Sequence, residues 1–256
     1  MTRPVEPRDL GPLDNAPLKL ALVQARTTPV LALERPDTVE WLVGELHGWE
    51  LVERQSNMEL AVRLGPAGVE QQHGRPESVW VLNSPSEQFR AVLSPSSIAV
   101  ECDRYSHWSD FQQALVQVLA AVEAVAAPGR VTRLGMRYIN EVTDPRLASE
   151  DPRAFLDLLA EELISVALAL DRPLAGSLSE LRVREPFGIF VARYGLVAPG
   201  RYLLDLDAYD EQGGPYEPAR LMEQAESFHA RIESFFAWAL QEDYLASLAA
   251  ENRDPQ

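Results

Sequence analysis

The chain has 256 residues, of which 46% are hydrophobic and 24% are charged, so its composition is that of a globular protein and excludes wholesale disorder. Its 39 acidic and 23 basic residues give a net charge of −16, which would repel a phosphate backbone and excludes nucleic acid as the expected partner. The single cysteine, Cys102, can form neither an internal disulfide nor a paired zinc site, which fits a reducing compartment.

The N-terminal region, residues 1–17, is rich in proline and charge and lacks the uninterrupted apolar run of a secretory signal. It is predicted to be an irregular leader. The most apolar stretches later in the chain, 114–127 and 163–170, are too short and too polar to span a bilayer. We therefore expect a cytoplasmic protein that does not enter a membrane.

Residues 18–128 predict a first α+β unit. An apolar run at 18–26 predicts a strand, and Pro36 opens an amphipathic helix that closes at Gly48. A strand is predicted in 49–64, followed by an exposed loop to residue 76. Strands at 79–82, 88–93 and 97–105 are predicted to form an antiparallel meander. A helix then begins at a capping box of Ser109 and Gln112 and ends at Pro128.

Residues 129–250 repeat this order of elements. Residues 131–142 predict a strand, and Asp151 predicts the N-cap of a helix with Pro152 at its first position, which continues through Val166. The later predicted elements are strands at 174–185, 188–197 and 201–209, a long helix from Glu217 through Tyr244, and a short tail at 251–256.

Both units therefore predict a strand, a helix, three or four strands and a second helix. Short matches fall at corresponding places, since residues 23–26 resemble 134–137 and residues 100–105 resemble 204–209. The sequence predicts an α+β fold built by internal duplication, in which two half-sheets form either one pseudo-twofold sheet or a partly closed barrel with outer helices. A groove between the halves is the expected binding place.

One strand carries a more specific pattern. The run Gly135-Met136-Arg137-Tyr138-Ile139-Asn140 resembles the G-x-R-Y-I-N signature of a sporadically distributed, uncharacterised bacterial family of similar length. Three further features agree with the resemblance: the strand that ends in Gln24-Ala25-Arg26, the strand at 203–209, and the C-terminal helix with Phe228 and His229. The resemblance implies no activity and assigns no catalytic residue.

The candidate ligand-binding residues lie on the matching strands. Arg26 and Arg137 occupy equivalent positions near the ends of predicted paired strands, and four acids project at period two from later strands, namely Glu101, Asp103, Asp205 and Asp207. Arginine forks and carboxylates in this arrangement can hold a zwitterionic or peptide ligand, or can simply bridge strands. The full candidate set adds Tyr138, Asn140, Tyr209 and, on the last helix, His229.

Asp205 and Asp207 could also hold a divalent cation, but no histidine is spaced to complete a site, so we assign neither a metal nor a cofactor. The local motifs of serine hydrolases, P-loop enzymes and dinucleotide-binding enzymes do not occur. We expect a non-catalytic binding or adaptor protein whose partner is a small molecule or a protein. The alternatives are a neutralising or defence-associated protein that binds a basic effector, and an enzyme with a dispersed acidic site.

Overall fold

The structure, a computed structural model, describes residues 5, 10, 11, 13, 15–57, 60–65, 68–73 and 77–249, and within 56–73 it describes the backbone only. The predicted leader lies largely, and the predicted tail wholly, outside these residues. The chain has an α+β fold, as the sequence predicts. No helix in the described ranges combines the length and the apolar character needed to cross a membrane.

An antiparallel sheet of ten strands forms the centre of the protein. Its strands are β1 (Leu18–Thr27), β2 (Glu50–Asn57), β5 (Glu77–Asn83), β6 (Phe89–Ser94), β7 (Ser97–Cys102), β8 (Arg130–Thr143), β9 (Ser179–Glu185), β10 (Gly188–Ala198), β11 (Arg201–Asp210) and β12 (Gly214–Pro215), while β3 (Leu60–Gly65) and β4 (Gly68–His73) form a separate hairpin. The order is β2-β5-β6-β7-β1-β8-β11-β10-β9, and β12 also pairs with β8. In the described residues the sheet ends at β2 and β9 and does not close. Of the two predicted alternatives, the partly closed barrel is therefore wrong.

In the described part of the chain, five α-helices accompany the sheet. They are α1 (Pro36–Glu45), α2 (Trp108–Ala126), α3 (Glu161–Leu170), α4 (Pro218–Ala239) and α5 (Glu242–Ala249), with 3₁₀ turns at Leu31–Glu34, Pro145–Ala148 and Pro152–Asp157. Helix α2 packs on β6 and β7, and α4 packs on β8 and β11. Each helix buries one apolar stripe, and the sheet buries the face that the helices cover. The buried side chains of helices and strands therefore form one continuous core.

Alternation along β1 defines the two faces of the sheet. Ala21, Val23 and Ala25 are buried in the core, whereas Gln24 and Arg26 point to the other side. We call the side that carries α2 and α4 the helix face and the opposite side the open face. Since β1 pairs with β8 in the middle of the sheet, the same alternation continues across the centre of the protein.

The sequence predicted one strand in 49–64 and then a loop up to residue 76. The strand region contains two strands, β2 and β3, and the loop prediction is wrong for β4, which pairs with β3 from Leu60 opposite His73 to Gly65 opposite Gly68. The predicted capping box is also wrong. His107 is the N-cap of α2 without a side-chain hydrogen bond, and the Ser106 hydroxyl instead donates to the Asp110 carboxylate at 2.9 Å.

The helix predicted from Asp151 is divided in two. Asp151 does cap it, because its side chain accepts a hydrogen bond from the backbone of Arg153, but the first turn is a 3₁₀ turn that ends at Asp157. The next residues pair with the chain after α4, where Leu159 forms a bridge with Leu240. These non-local hydrogen bonds replace helical ones, and they also end α4 before Tyr244, which lies in α5.

Candidate functional site: an aromatic cleft and an arginine hollow

The ten predicted site residues do not come together, because successive strand residues point to opposite faces. On the helix face, three of them line one cleft: Tyr138, Asn140 and His229. On the open face, four line a shallow hollow, Arg26, Arg137, Asp207 and Tyr209, and Asp205 lies buried at its border, bonded to Arg137. The remaining two, Glu101 and Asp103, line a third depression at the ends of β6 and β7.

The cleft on the helix face lies between the start of α2 and the middle of α4 and has a volume of about 580 Å³. Leu10, Gly11 and Leu13 form a further wall. We call it the aromatic cleft, after the rings in its wall, which include those of Tyr105, Trp108, Tyr138, His229 and Phe236. Its size and largely apolar lining are those of a small-molecule pocket.

Four of these rings form one connected group. Trp108 and His229 stack face to face, with ring centroids 4.4 Å apart and planes 14° apart. The Nδ1 atom of His229 lies 3.1 Å from the Tyr138 hydroxyl. Tyr138 in turn donates a hydrogen bond to the Tyr105 hydroxyl at 3.3 Å. The chain of contacts therefore links α2, α4, β8 and the segment after β7.

The helices position this group through their ordinary periodicity. Phe228 and Ile232 are fully buried, so His229 and Glu233 lie one turn apart beside the core stripe of α4. His229 Nε2 is 3.8 Å from the Glu233 carboxylate, whose other oxygen accepts a hydrogen bond from the Leu10 backbone at 3.2 Å. Trp108 is the first residue of α2, and its ring also stacks on that of Phe111.

Burial keeps the two tyrosines protonated. Desolvation is the largest cause that raises the pKa of Tyr105, and it raises the pKa of the fully buried Tyr138 well above its usual value. Their hydroxyls are therefore neutral hydrogen-bonding groups at ordinary pH. They can orient a ligand, but they are poor nucleophiles and weak acids.

The hollow on the open face has a volume of about 340 Å³ and gathers five arginines from four strands. We call it the arginine hollow, and these residues are Arg26, Arg133, Arg137, Arg182 and Arg193. Such a concentration of guanidinium groups is unusual in a chain with a net charge of −16. Four acids lie in or beside the hollow, namely Glu180, Asp205, Asp207 and Glu211.

The strongest ion pair of the hollow joins Arg137 to Asp205. Nε and Nη2 of Arg137 each donate to one Asp205 oxygen at 2.7 Å, a bidentate bond that raises the pKa of Arg137. Arg193 adds a longer contact to Asp205 at 3.5 Å. Because these arginines occupy both oxygens of Asp205, this acid is not presented freely to a ligand or a metal ion.

Asp207 has a different environment. It lies opposite Arg137 in the register of β8 and β11, but its nearest ion-pair partner is Arg133 at 3.7 Å. Desolvation by burial is the largest influence on this carboxyl and raises its pKa above the usual value, although the neighbouring arginines act in the opposite direction. The fold therefore disfavours the charge of Asp207.

The depression that holds Glu101 and Asp103 is separate from both sites. Glu101 pairs with Arg90 at 2.6 Å, and Asp103 lies 4.0 Å from Arg104. The predicted grouping of these acids with Asp205 and Asp207 is therefore not observed. Their contacts are those of local surface ion pairs, which contribute little to stability.

Sequence reasoning missed several residues of both sites. In the arginine hollow it missed Arg133, which precedes Arg137 by four residues on the same strand face, so period two could have identified it. In the aromatic cleft it missed Tyr105, Trp108 and Glu233 as site residues. His229 and Glu233 are four apart on one helix, but no local pattern places Trp108 against His229.

No group of three or more histidine, cysteine, aspartate or glutamate side chains suited to a metal ion occurs in the described part of the chain. No protein-family model matches the chain, and a search of curated proteins finds no match. Evidence on function therefore comes from the geometry of the sites.

Proposed function

We propose that the chain is a non-catalytic binding protein that holds a small, mainly apolar organic molecule in the aromatic cleft. The observation that carries this proposal is the combination of a volume of about 580 Å³ with a wall of stacked and tilted aromatic rings. Ligand pockets are of this size and are mostly apolar, with a few placed polar groups that fix orientation. Tyr105, Tyr138 and His229 supply such groups.

The chemistry of the wall supports binding rather than turnover. The raised pKa values of Tyr105 and Tyr138 leave both phenols protonated. The Ser234 hydroxyl, which also lines the cleft, donates to the backbone oxygen of Ala230 at 2.6 Å. A carbonyl oxygen is too weak a base to activate this hydroxyl as a nucleophile.

The proposal changes the expected binding place. The sequence favoured a groove lined by arginines and strand acids, whereas the aromatic cleft lies on the opposite face, between α2 of the first half and α4 of the second. An enzyme that used Asp205 and Asp207 through a metal is disfavoured, because Arg137 and Arg193 occupy the Asp205 oxygens. The alternative of a basic effector protein as partner rests on the net charge of −16 and on the sporadic occurrence of the family that the chain resembles.

Internal duplication belongs to the same proposal. It is supported by the strand order, since β7-β6-β5 extends outward from β1 as β11-β10-β9 extends from β8. The two short sequence matches are not compatible with one register. Val23 pairs with Val100, whereas Leu134, its proposed counterpart, pairs with Asp210 and not with Leu204. Membership of the bacterial family with the G-x-R-Y-I-N signature likewise stands as a proposal.

The test is a titration of the full chain with Nile red, a neutral dye whose fluorescence increases in apolar sites. We expect saturable binding of one dye per chain. Ala230 is an exposed residue of α4 that lines the cleft, so Ala230→Phe places a ring in the cleft and should abolish binding. Ala219 is exposed on the same helix outside the cleft, so Ala219→Phe is the control and should bind the dye normally. Equal binding by wild type and Ala230→Phe would overturn the proposal.

A further inference from the structure

The arginine hollow contains a cross-strand pair that is unfavourable as it stands. In the register of β1 and β8, Arg26 lies directly opposite Arg133, so both guanidinium groups are on the open face. Like charges directly opposite each other destabilise an antiparallel pair. Many other residue pairs at this point of the sheet would avoid the repulsion, which indicates a role for the two charges beyond stability.

The acidic side chains of the described residues do not neutralise the positive charges of Arg26 and Arg133 through close ion pairs. Among the described residues Arg26 has no ion pair, and its side-chain contact is a 3.4 Å hydrogen bond to Gln24. Arg133 reaches Asp207 only at 3.7 Å, without a hydrogen bond, and rests on the ring of Tyr209 with 4.5 Å between the guanidinium carbon and the ring centroid. Both groups therefore retain hydrogen-bonding capacity for an added anion.

The remaining arginines of the hollow are held in place by the acids. Glu180 accepts hydrogen bonds from Arg182 at 2.9 Å and from Arg193 at 2.7 Å, and Asp205 holds Arg137. These pairs fix positive groups around the hollow and leave Arg26 and Arg133 without strong partners. A preorganised rim of this kind reduces the entropy lost when a ligand binds.

Gly135 keeps the floor of the hollow open. A Cβ atom at this position would lie 2.6 Å from Nη1 of Arg133, so any other residue would displace that guanidinium. The backbone of Gly135 is paired in the sheet opposite Gln24, and its side-chain face is the open one. The absence of a side chain thus allows Arg133 to lie across β8 towards Tyr209.

We propose that the arginine hollow binds the tetrahedral oxyanion of a small phosphorylated or sulfated molecule, with Arg26 and Arg133 as its principal donors. A carboxylate is satisfied by one planar guanidinium fork, whereas a tetrahedral anion accepts donors from several directions, as arginines on separate strands provide. The small volume and the acidic chain exclude an extended nucleic acid at this place. This site lies on the opposite face from the aromatic cleft and does not depend on it.

The test is isothermal titration of the full chain at low ionic strength with inorganic phosphate, pyrophosphate and acetate. We expect saturable 1:1 binding of phosphate and pyrophosphate and much weaker binding of acetate. Arg133→Gln and Arg26→Gln should each lower the affinity by about tenfold or more, because a hydrogen bond between charged groups is lost. Arg90→Gln, which removes a guanidinium paired with Glu101 elsewhere, should have no effect.

Two further variants separate a binding role from a structural one. Gly135→Ala retains every charge and should weaken phosphate binding by displacing Arg133. In phosphate-free buffer Arg26→Gln should leave the free energy of unfolding unchanged or increase it, since it removes a repulsion. The proposal is overturned if phosphate fails to bind, if acetate binds equally well, or if Arg26→Gln destabilises the anion-free protein. The Ala230→Phe variant should bind phosphate normally, so this result is independent of the aromatic cleft.

Discussion

Arg137 and Tyr138 are consecutive residues of β8, yet Arg137 binds Asp205 on the open face through two 2.7 Å hydrogen bonds while the Tyr138 hydroxyl lies 3.1 Å from His229 on the helix face. One strand thus contributes to two sites of opposite character. The helix-face site is aromatic and suits an apolar ligand, and the open-face site is cationic and suits an anion. The two can be perturbed separately, which makes each proposal testable alone.

Removing the Tyr138 hydroxyl should destabilise the fold. In Tyr138→Phe the ring remains, but His229 and Tyr105 lose a hydrogen-bond partner, and we expect a loss of about 1–3 kcal/mol in the free energy of unfolding. Urea denaturation measures this. Tyr209→Phe is the matched control, since the Tyr209 ring supports Arg133 from the open face, and its loss of a hydroxyl should change stability by less than about 0.5 kcal/mol. Equal losses in both variants would contradict the hydrogen-bond chain.

The two strand acids should respond oppositely to neutralisation. The Asp205 side chain is only 5% exposed and forms an ion pair with Arg137, which is 44% exposed. Asp205→Asn should therefore lower the free energy of unfolding by about 1.5–3 kcal/mol. Asp207 has a raised pKa, which means that the fold disfavours its ionised form, so Asp207→Asn should be neutral or stabilising at pH 7. On acidification wild-type Asp207 becomes protonated, and the advantage of the asparagine should shrink. Urea unfolding of wild type and both variants at pH 7 and at a series of lower pH values measures these differences, and the same response from both variants would contradict the prediction.

Burial of Cys102 predicts a loss of stability at high pH. Desolvation raises the pKa of this thiol from 9.0 to about 11. The folded state therefore keeps the proton that the unfolded state releases, so stability is complete below pH 9 and falls as the pH rises towards 11. The loss amounts to about 2–3 kcal/mol. Cys102→Ala should remove this part of the pH dependence, and a constant difference from wild type between pH 8 and pH 11 would contradict the assignment.

Two glycines should respond in opposite directions to alanine. Gly188 begins β10 with φ of +140°, and a Cβ there would lie 2.2 Å from the Tyr209 carbonyl oxygen, so Gly188→Ala should destabilise the protein by more than about 1 kcal/mol. Gly44 lies in α1 with open space around it, so Gly44→Ala should stabilise by about 0.5–1 kcal/mol. Thermal unfolding of both variants tests the turn geometry.

Much of the fold could be predicted because it follows from local patterns. The strand at residues 18–26 and the turn before Gly188 are set by alternation and turn residues, and the structure contains both. The division of the helix after Asp151 could not be predicted, because the backbone of Leu159 pairs with Leu240, far along the chain. Local sequence contains no information about that partner.

The site was predictable only in part for the same reason. Period two correctly places Asp205 and Asp207 on one face of β11, but it also separates Arg137 from Tyr138, which the predicted groove combined. The stacking of Trp108 on His229 depends on how α2 and α4 pack against each other on the helix face of the sheet. Tertiary contacts of this kind decide which aromatic residues form a pocket.

The most direct test of the aromatic cleft as a ligand site is native mass spectrometry of the chain after incubation with a total small-molecule cell extract. We expect wild type and Ala219→Phe to retain one bound organic molecule and Ala230→Phe to retain none. The absence of any bound molecule in wild type, or the same molecule in Ala230→Phe, would contradict the proposed function.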